Sequence, residues 1–397
     1  MPPRSEDQGS AGERVWGHWP IRVLFPVYAD RSSYQAQDVN GREVALRLDP
    51  LLFERSLFLR GREPDPRLAG REGLHLICLP QIRKVRGLTM LRTMFRPCWD
   101  VVVTGKIDTI QLLYLAGRGL LGDRRPYLHT VENSNPRPSR LFDTLARFTA
   151  NRADRAFAIS RRIAETPEGW CGCRLDLLYA VGVDPAVFHP ARTPAIGQRK
   201  RKRVVCCGSF QPRKRPDFFV DMASRFRDHD FVWIGSGELR SGLEERVKAE
   251  RLGNVSFPGS MPQDGIAKQF RESDVFLFPS VHEGFPKVLV EAMACGLPGL
   301  AFDCYGPEAI VDGETGFVVG TDQEMEDRLR ELLADEALRL RMGQAAARRA
   351  LDFTWDKIAK NYERVILETV RGSKGGSFAV PAGAMQEKSA PMPCSKG

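Results

Sequence analysis

Two glutamates lie on either side of the start of a predicted helix. The segment DVFLF, residues 274–278, is typical of a buried strand, and Glu283 and Gly284 follow it in a short loop. Pro286 suits the first position of a helix, because that position does not need an N–H group. Glu291 then falls inside the helix. The spacing places one carboxylate at the mouth of the loop and a second one beyond the helix start.

This arrangement suits a ligand that combines phosphate with hydroxyl groups. The free N–H groups at a helix start bind phosphate, and Gly284 allows the backbone to approach a ligand closely. A carboxylate accepts two hydrogen bonds at once, which matches neighbouring hydroxyl groups of a sugar. One glutamate for a transferred sugar and one for a ribose would form a sugar-nucleotide site. The alternative is that Glu283 only complements the helix dipole and that Glu291 lies on the surface.

The segment EGFPKVLVEAMACGLP, residues 283–298, resembles the E-x7-E signature of the family 4 retaining glycosyltransferases, also called glycosyltransferase group 1. The similarity is strong from residue 180 onward and weak before it. Further segments resemble that family in order and spacing, namely YAVGVD (179–184), CGSFQPRK (207–214), WIGSG (233–237), VSFPG (255–259), GPEAIVDGETGFVV (306–319) and FTW (353–355).

The resemblance implies a role for each matching residue. Glu283 would contact hydroxyl groups of the donor sugar, and Glu291 would bind the ribose. Lys214 would neutralise the diphosphate leaving group, which a positive charge can do without a metal ion. The resemblance thus implies a nucleoside-diphosphate sugar as the donor substrate, with no metal and no cofactor. The other donor-side candidates are Gly208, Ser209, Arg213, Gly284, Phe285, Pro286 and the weaker candidate Gly235.

Two positions depart from the family pattern. Ser209 stands where the family usually has an arginine, and Arg213 is the candidate to replace it. Glu132 stands where the family usually has a histidine, while His129 lies three residues earlier. Successive side chains of a strand point to opposite faces, so only one of these two should reach the cleft. We expect it to be Glu132, at the end of the strand, as a catalytic candidate. His129 has the alternative role of a buried sheet histidine.

Apolar strand patterns alternate with amphipathic helical patterns twice along the chain. Such alternation is typical of parallel sheets that are covered on both faces. The predicted helices include 35–48 and 141–152. The predicted strands are 22–26, 74–79, 101–103, 127–131, 155–159 and 175–179 in the first half, and 203–207, 231–234, 274–278, 299–302 and 316–319 in the second.

We therefore predict an α/β protein with two Rossmann-like doubly wound domains that face a cleft, the GT-B arrangement that the resemblance also implies. An acceptor-side domain spans 20–190, and a nucleotide-sugar donor domain spans 200–352. A C-terminal crossover helix follows at 353–372. Residues 1–19 and 373–397 are predicted to be disordered tails, because they are rich in polar and small residues.

The positive charge of the chain is concentrated in its first half. Residues 1–190 carry 28 Lys and Arg against 21 Asp and Glu, out of a net charge of +9 for the whole chain. The stretch Leu79–Phe95 places apolar residues at three- and four-residue spacing, with basic residues between them. This pattern is typical of a helix that lies on an anionic bilayer, and equally of a helix that packs beneath a strand. Nucleic acid is not expected, because the basic stretch lacks interleaved aromatic residues.

These observations predict a retaining glycosyltransferase that moves a hexosyl unit from a nucleoside-diphosphate sugar to a hydroxyl group of a glycan or glycolipid, in polysaccharide biosynthesis. The alternatives on the same fold are a sugar-phosphate phosphorylase, a nucleotide-sugar epimerase and a non-catalytic nucleotide-sugar-binding homologue. The apolar segments around Cys78, Cys206, Cys207 and Cys295 favour buried thiols in a reducing compartment. We therefore expect a cytoplasmic protein, peripheral on the inner face of the membrane.

Overall fold

The structure is a computed structural model that describes residues 20–31, 35–61, 63–132, 140–165, 175–191 and 200–372. The tails predicted at 1–19 and 373–397 lie outside these residues.

Within the described residues, seven parallel strands form the first sheet, in the order β3-β2-β1-β4-β5-β6-β7. The strands are β1 (Ile21–Tyr28), β2 (Phe53–Leu59), β3 (Leu74–Cys78), β4 (Val101–Thr104), β5 (Tyr127–Val131), β6 (Arg155–Ala158) and β7 (Asp176–Leu177). The helices are α1 (Ala36–Arg47), α2 (Arg83–Met94), α3 (Thr109–Leu120), α4 (Arg140–Arg152) and α5 (Arg161–Glu165).

A second parallel sheet has six strands in the described part of the chain, in the order β10-β9-β8-β11-β12-β13. The strands are β8 (Arg203–Cys207), β9 (Asp230–Ile234), β10 (Val255–Gly259), β11 (Val275–Phe278), β12 (Gly299–Phe302) and β13 (Gly316–Val319). The helices are α6 (Pro216–Arg225), α7 (Arg240–Ala249), α8 (Gln263–Arg271), α9 (Lys287–Ala294), α10 (Asp322–Ala334), α11 (Glu336–Ala350) and α12 (Trp355–Gly372), with 3-10 turns at Pro212–Lys214, Asp303–Tyr305 and Leu351–Phe353.

The predicted pair of doubly wound parallel sheets is confirmed, but two strands were not predicted. Strand β2 escapes prediction because Glu54, Arg55 and Ser56 interrupt its apolar pattern. Arg55 is nevertheless buried, since its guanidinium donates hydrogen bonds to the carbonyls of Ala45 (3.1 Å) and Phe53 (2.8 Å). Strand β10 contains a proline, which is tolerated at the edge of a sheet.

The expectation of buried thiols is confirmed at three cysteines and wrong at one. Cys206, Cys207 and Cys295 are buried in the second domain. Cys78 is exposed, because it is the last residue of β3 and β3 is an edge strand of the first sheet. An apolar neighbourhood in the sequence therefore does not bury a side chain at the end of an edge strand.

In the described residues, the segments around Val183 and Thr354, each of which precedes or follows a passage between the domains, lie side by side. Val183 forms a parallel bridge with Thr354, and its backbone exchanges hydrogen bonds with Phe353 (2.8 Å) and Trp355 (3.1 Å). A Cβ on Gly182 would lie 2.7 Å from the Trp355 ring, so the second passage packs directly on the first. After this passage, α12 returns to the first domain and packs against α1.

The strand orders also fix where a ligand can bind. The order reverses between β1 and β4 in the first sheet and between β8 and β11 in the second. Ligands of open parallel sheets bind at the carboxyl ends of the strands, at such a reversal. The carboxyl edges of the two sheets meet, because Gly284, beyond β11, lies so close to the Glu132 carbonyl, beyond β5, that a Cβ would overlap it. Both reversals therefore open into one cleft.

The helix α9 is held in place from behind by α11. A Cβ on Gly343 of α11 would overlap the carbonyl oxygen of Gly296, just after α9.

We expect Gly343→Ala to destabilise the protein by about 1–3 kcal/mol, which lowers the Tm by about 2–10 °C in a thermal melt. The matched control is Gly242→Ala in α7, where a Cβ has no neighbour within 4 Å. That change should keep or raise the Tm, since alanine favours helices. Equal melting of Gly343→Ala and wild type would contradict this packing.

Candidate active site

Two loops form the centre of the candidate site. Residues 208–214 follow β8, and residues 279–286 follow β11, the strand beside it in the sheet. The loops are joined, because the backbone N–H of Val281 donates to the Arg213 carbonyl (3.0 Å), and the Ser280 hydroxyl lies 3.3 Å from the same oxygen. Two segments about 70 residues apart in the sequence therefore make one wall of the cleft.

The carboxylate of Glu283 is the meeting point of three donors. Its Oε1 lies 2.5 Å from Lys214 Nζ, 3.1 Å from Arg213 Nη1 and 2.5 Å from the Ser280 hydroxyl. Lys214 is buried, and its ammonium also lies 4.8 Å from the centre of the Phe278 ring. A buried ammonium needs such partners, because leaving water without them costs several kcal/mol. Glu283 therefore does more than complement the helix dipole.

Arg213 extends the cationic side of the site. Its Nη1 also donates to the His282 carbonyl (3.0 Å), which holds the guanidinium across the mouth of the loop. Ser209 is half-buried on the same segment, after Gly208. The structure thus brings Arg213 and Lys214 to one carboxylate oxygen, although the usual arginine position is occupied by Ser209.

Glu291 lies inside α9 and is buried, so its alternative placement on the surface is wrong. Its Oε1 pairs with Lys287 Nζ at 2.8 Å, one helical turn earlier. Burial alone would lower the pKa of Lys287, but the neighbouring Glu291 outweighs it, and the pKa is raised. Pro286 precedes α9 in an extended conformation, so the first N–H groups of the helix are left for a ligand. Two acids and three cations therefore surround the start of α9.

Gly235 supports the site from the neighbouring strand. Its φ of +145° is a glycine conformation, and a Cβ there would overlap the Gly208 carbonyl. The Trp233 indole N–H donates to the same carbonyl at 3.0 Å. These contacts fix the backbone of Gly208 where β8 ends. Gly235 therefore affects the site only through the position of Gly208.

Phe285 joins the loop after β11 to the passage between the domains. Its ring is buried and lies 5.4 Å from Tyr179 and 5.3 Å from Phe353, centre to centre. The Tyr179 hydroxyl donates to Glu308 at 3.0 Å, and Glu308 also accepts the Arg161 backbone N–H at 2.9 Å. Burial raises the pKa of Glu308 and raises that of Tyr179 to about 12. The sequence shows Glu308 only as part of the segment 306–319 that resembles the family, and its role as a link between the domains depends on contacts that are distant in the sequence.

Glu132 lies on the facing wall, directly after β5. Asn40 Nδ2 donates to its Oε2 at 3.1 Å. Burial raises the pKa of Glu132 to about 8, although hydrogen bonds from Asn40 and Thr130 and the charge of Lys106 oppose the rise. The carboxyl group therefore carries its proton at neutral pH. Sequence reasoning missed the residues around it, because Asn40, Lys106 and Tyr362 come from α1, the loop after β4 and α12.

His129 lies within β5 and is fully buried. Its ring stacks on Tyr127, 6.4 Å away, and burial lowers the pKa of His129 to about 4. The imidazole is therefore neutral and has no surface in the cleft. Of the two residues, only Glu132 is placed where a ligand can reach it.

The raised pKa of Glu132 predicts a pH dependence of stability. An unfolded chain releases this proton near 4.5, whereas the folded protein keeps it until about 8, so stability falls as pH rises through this window. Glu132→Gln has no proton to lose. We expect the Tm of wild type to fall more than that of Glu132→Gln between about pH 6 and about pH 9. Glu245→Gln, an exposed position on α7, is the matched control and should follow wild type. Parallel Tm curves for all three proteins would exclude the raised pKa.

Part of the chain resembles known proteins in sequence. Residues 201–335 match the family described as Glycosyl transferases group 1. A D-inositol 3-phosphate glycosyltransferase of Streptomyces bingchenggensis is 33% identical over 250 residues, which are 54% of this chain and 54% of that relative. The chain thus spans about half the length of this curated relative.

Two solved structures have the same architecture. The sucrose-phosphate synthase of Thermosynechococcus elongatus matches with a TM-score of 0.73 at 19% identity, over 89% of this chain and 100% of that one. Anabaena Alr3699/HepE, in complex with UDP and glucose, matches with a TM-score of 0.71 at 15% identity, over 88% of this chain and 100% of that one. The chain therefore has the GT-B fold, and its residues 201–335 form a domain of the Glycosyl transferases group 1 family.

Proposed function

We propose that this chain is a retaining glycosyltransferase that moves a hexosyl unit from a nucleoside-diphosphate sugar to a hydroxyl group of a glycan or glycolipid. The observation that carries the proposal is the convergence of Lys214, Arg213 and Glu283 beside the start of α9. The HepE structure holds UDP and glucose, which supports the same class of donor here. Retention of the anomeric configuration rests on the resemblance of residues 283–298 to the E-x7-E signature.

The ion pairs of Glu283 suggest how a donor is received. Before the donor binds, Glu283 balances the charges of Lys214 and Arg213. A diphosphate carries more negative charge than one carboxylate, so it attracts both cations, while the free N–H groups at the start of α9 bind its oxygens. Glu283 is then available to accept hydrogen bonds from the sugar hydroxyls. Glu291, deeper in α9, receives the ribose.

Catalysis in this proposal needs no metal ion. The leaving diphosphate gains negative charge as the bond to the sugar breaks. Lys214 and Arg213 stabilise that charge together with the dipole of α9, and fixed charges of this kind need no rearrangement during the reaction. The protein therefore supplies from side chains the charge that a divalent cation supplies elsewhere.

Glu132 faces the donor loop from the other domain. Its neutral carboxyl group donates one hydrogen bond and accepts others, as a neutral histidine does. In the proposal it orients a hydroxyl group of the donor sugar or of the acceptor, in place of the histidine of the family pattern. The acceptor then binds beside Glu132, on the first-domain side of the cleft.

We place the protein in the cytoplasm, at the inner face of the membrane, where it takes a lipid-linked acceptor in polysaccharide biosynthesis. The positive charge of residues 1–190 supports an anionic surface or acceptor.

The test of this function is the release of nucleoside diphosphate from a panel of nucleotide sugars, with and without glycan and glycolipid acceptors. We expect nucleoside diphosphate to be released from one class of nucleotide sugar. The release should require an acceptor and should persist in EDTA. Loss of activity in EDTA that magnesium restores would contradict the metal-free mechanism. Conversion of the donor to its epimer without an acceptor would instead identify an epimerase.

The donor residues should separate binding from turnover. Glu291→Gln removes a charged acceptor from the ribose and should weaken calorimetric binding of the nucleoside diphosphate by about 10–150-fold. Lys214→Ala should lower kcat by about 100-fold or more, because it removes charge stabilisation from the leaving group. The control is Lys268→Ala, an exposed lysine on α8, which should match wild type in both assays. If Glu291→Gln binds the nucleotide as tightly as wild type, Glu291 does not bind the ribose. If Lys214→Ala keeps the wild-type kcat, Arg213 and not Lys214 stabilises the leaving diphosphate.

A further inference from the structure

Helices α2 and α3 lie side by side on the first sheet. A Cβ on Gly87 would lie 3.2 Å from Ile110, and one on Gly117 would lie 2.9 Å from the Phe95 ring, so the two helices are in close contact. Their inner faces pack on the sheet through the buried residues Met90, Met94, Tyr114 and Leu115.

The outer face of this pair is apolar. Six of the nine large hydrophobic side chains that are exposed in the described residues lie on it, between 45% and 89% exposed. They come from both helices and from the residues next to them. These six residues, the α2–α3 face, are Ile82, Val85, Leu88, Leu113, Leu120 and Leu121.

The apolar residues of Leu79–Phe95 do not share one face of the helix. Met90 and Met94 point to the sheet, whereas Val85 and Leu88 point outward. Apolar residues spaced three apart shift progressively around a helix, because the helix has 3.6 residues per turn. The segment thus combines both interpretations of its sequence pattern. One half packs beneath the strands, and the other half is exposed.

The charges beside the α2–α3 face are positive. Arg83, Lys84 and Arg92 of α2 are exposed next to its apolar residues. Residues 73–99 contain no acid, and neither does α3. The acids at the two ends of α3 are engaged, since Asp108 accepts the Gln111 backbone N–H at 2.9 Å and Asp123 pairs with Arg125 at 2.5 Å. The face therefore suits a ligand that is both apolar and anionic.

Two kinds of occupant could cover such a face. In a symmetric contact with a second copy, Arg83, Lys84 and Arg92 would oppose the same cations, and like charges across an interface disfavour it. An anionic bilayer satisfies both features, because its headgroups attract the basic residues and its acyl region accepts the leucines. Among the described residues, none of the helices could span a bilayer.

One end of the face lies beside the cleft. Helix α2 begins after the carboxyl end of β3, and α3 begins after that of β4. Ile82 and Val85 therefore lie toward the same edge of the sheet as Glu132. We propose that the α2–α3 face docks on an anionic lipid bilayer and brings the acceptor side of the cleft to the headgroups. The link to the acceptor rests on the proposed function, whereas the docking does not.

The test is co-sedimentation with vesicles of phosphatidylcholine alone and of phosphatidylcholine mixed with phosphatidylglycerol. We expect binding to the anionic vesicles only, with release at high salt. Leu88→Ser with Leu120→Ser should weaken binding by about tenfold or more, and so should the triple change Arg83→Gln, Lys84→Gln and Arg92→Gln. The matched controls change equally exposed residues elsewhere and should bind as wild type. They are Leu51→Ser with Leu351→Ser, and Lys248→Gln with Lys268→Gln and Arg341→Gln.

Three results would overturn the docking proposal. The first is equal binding to neutral and anionic vesicles, and the second is wild-type binding by both variants of the face. The third is self-association without lipid that Leu88→Ser with Leu120→Ser abolishes, which would identify a second copy as the occupant. Calorimetric binding of the nucleoside diphosphate, measured on the same variants, should equal wild type and shows that they are folded. Vesicle binding by a protein that releases no nucleoside diphosphate would refute the proposed function and leave the docking intact.

Discussion

The ion pair between Glu283 and Lys214 is the interaction on which the site depends. Lys214 is buried at the end of one loop, and Glu283 comes from another loop. The pair forms only because β8 and β11 are neighbours in the sheet, which the reversal of strand order ensures. Each charge is tolerated because the other is present, and in the proposed function a diphosphate takes the place of the carboxylate. The same interaction thus serves folding and, in the proposed function, donor binding.

The part of the site that the sequence could predict is the part that is local. Glu283, Pro286 and Glu291 lie within nine residues, and the strand before them and the helix after them follow from apolar pattern and capping. The surroundings of Glu132 could not be predicted, because Asn40 and Tyr362 reach it from opposite ends of the chain. Only the packing of α12 against α1 brings those two segments together.

The same contrast holds for the fold. Continuous apolar segments gave most of the strands, whereas β2 was missed because its buried Arg55 finds backbone carbonyls that no sequence pattern shows. Cys78 was expected to be buried and is exposed, since its strand lies at an edge. The pattern of α2 did not say which apolar residues pack inward. In each case the sequence does not show which residues lie next to the side chain in the folded protein. Those neighbours depend on the order of the strands in the sheet.

The two passages of the chain between the domains have a mechanical consequence. Val183 is hydrogen-bonded to the backbone on both sides of Thr354, so the passages form one narrow strip. A rotation of one domain about this strip would leave the strand pairing within each sheet unchanged. Such a rotation would separate Gly284 from the Glu132 carbonyl, which now leaves no room for even a Cβ. The strip lies beside the charged site, because Phe353 contacts Phe285, two residues after Glu283, so torsion at a few backbone bonds there would change the width of the cleft.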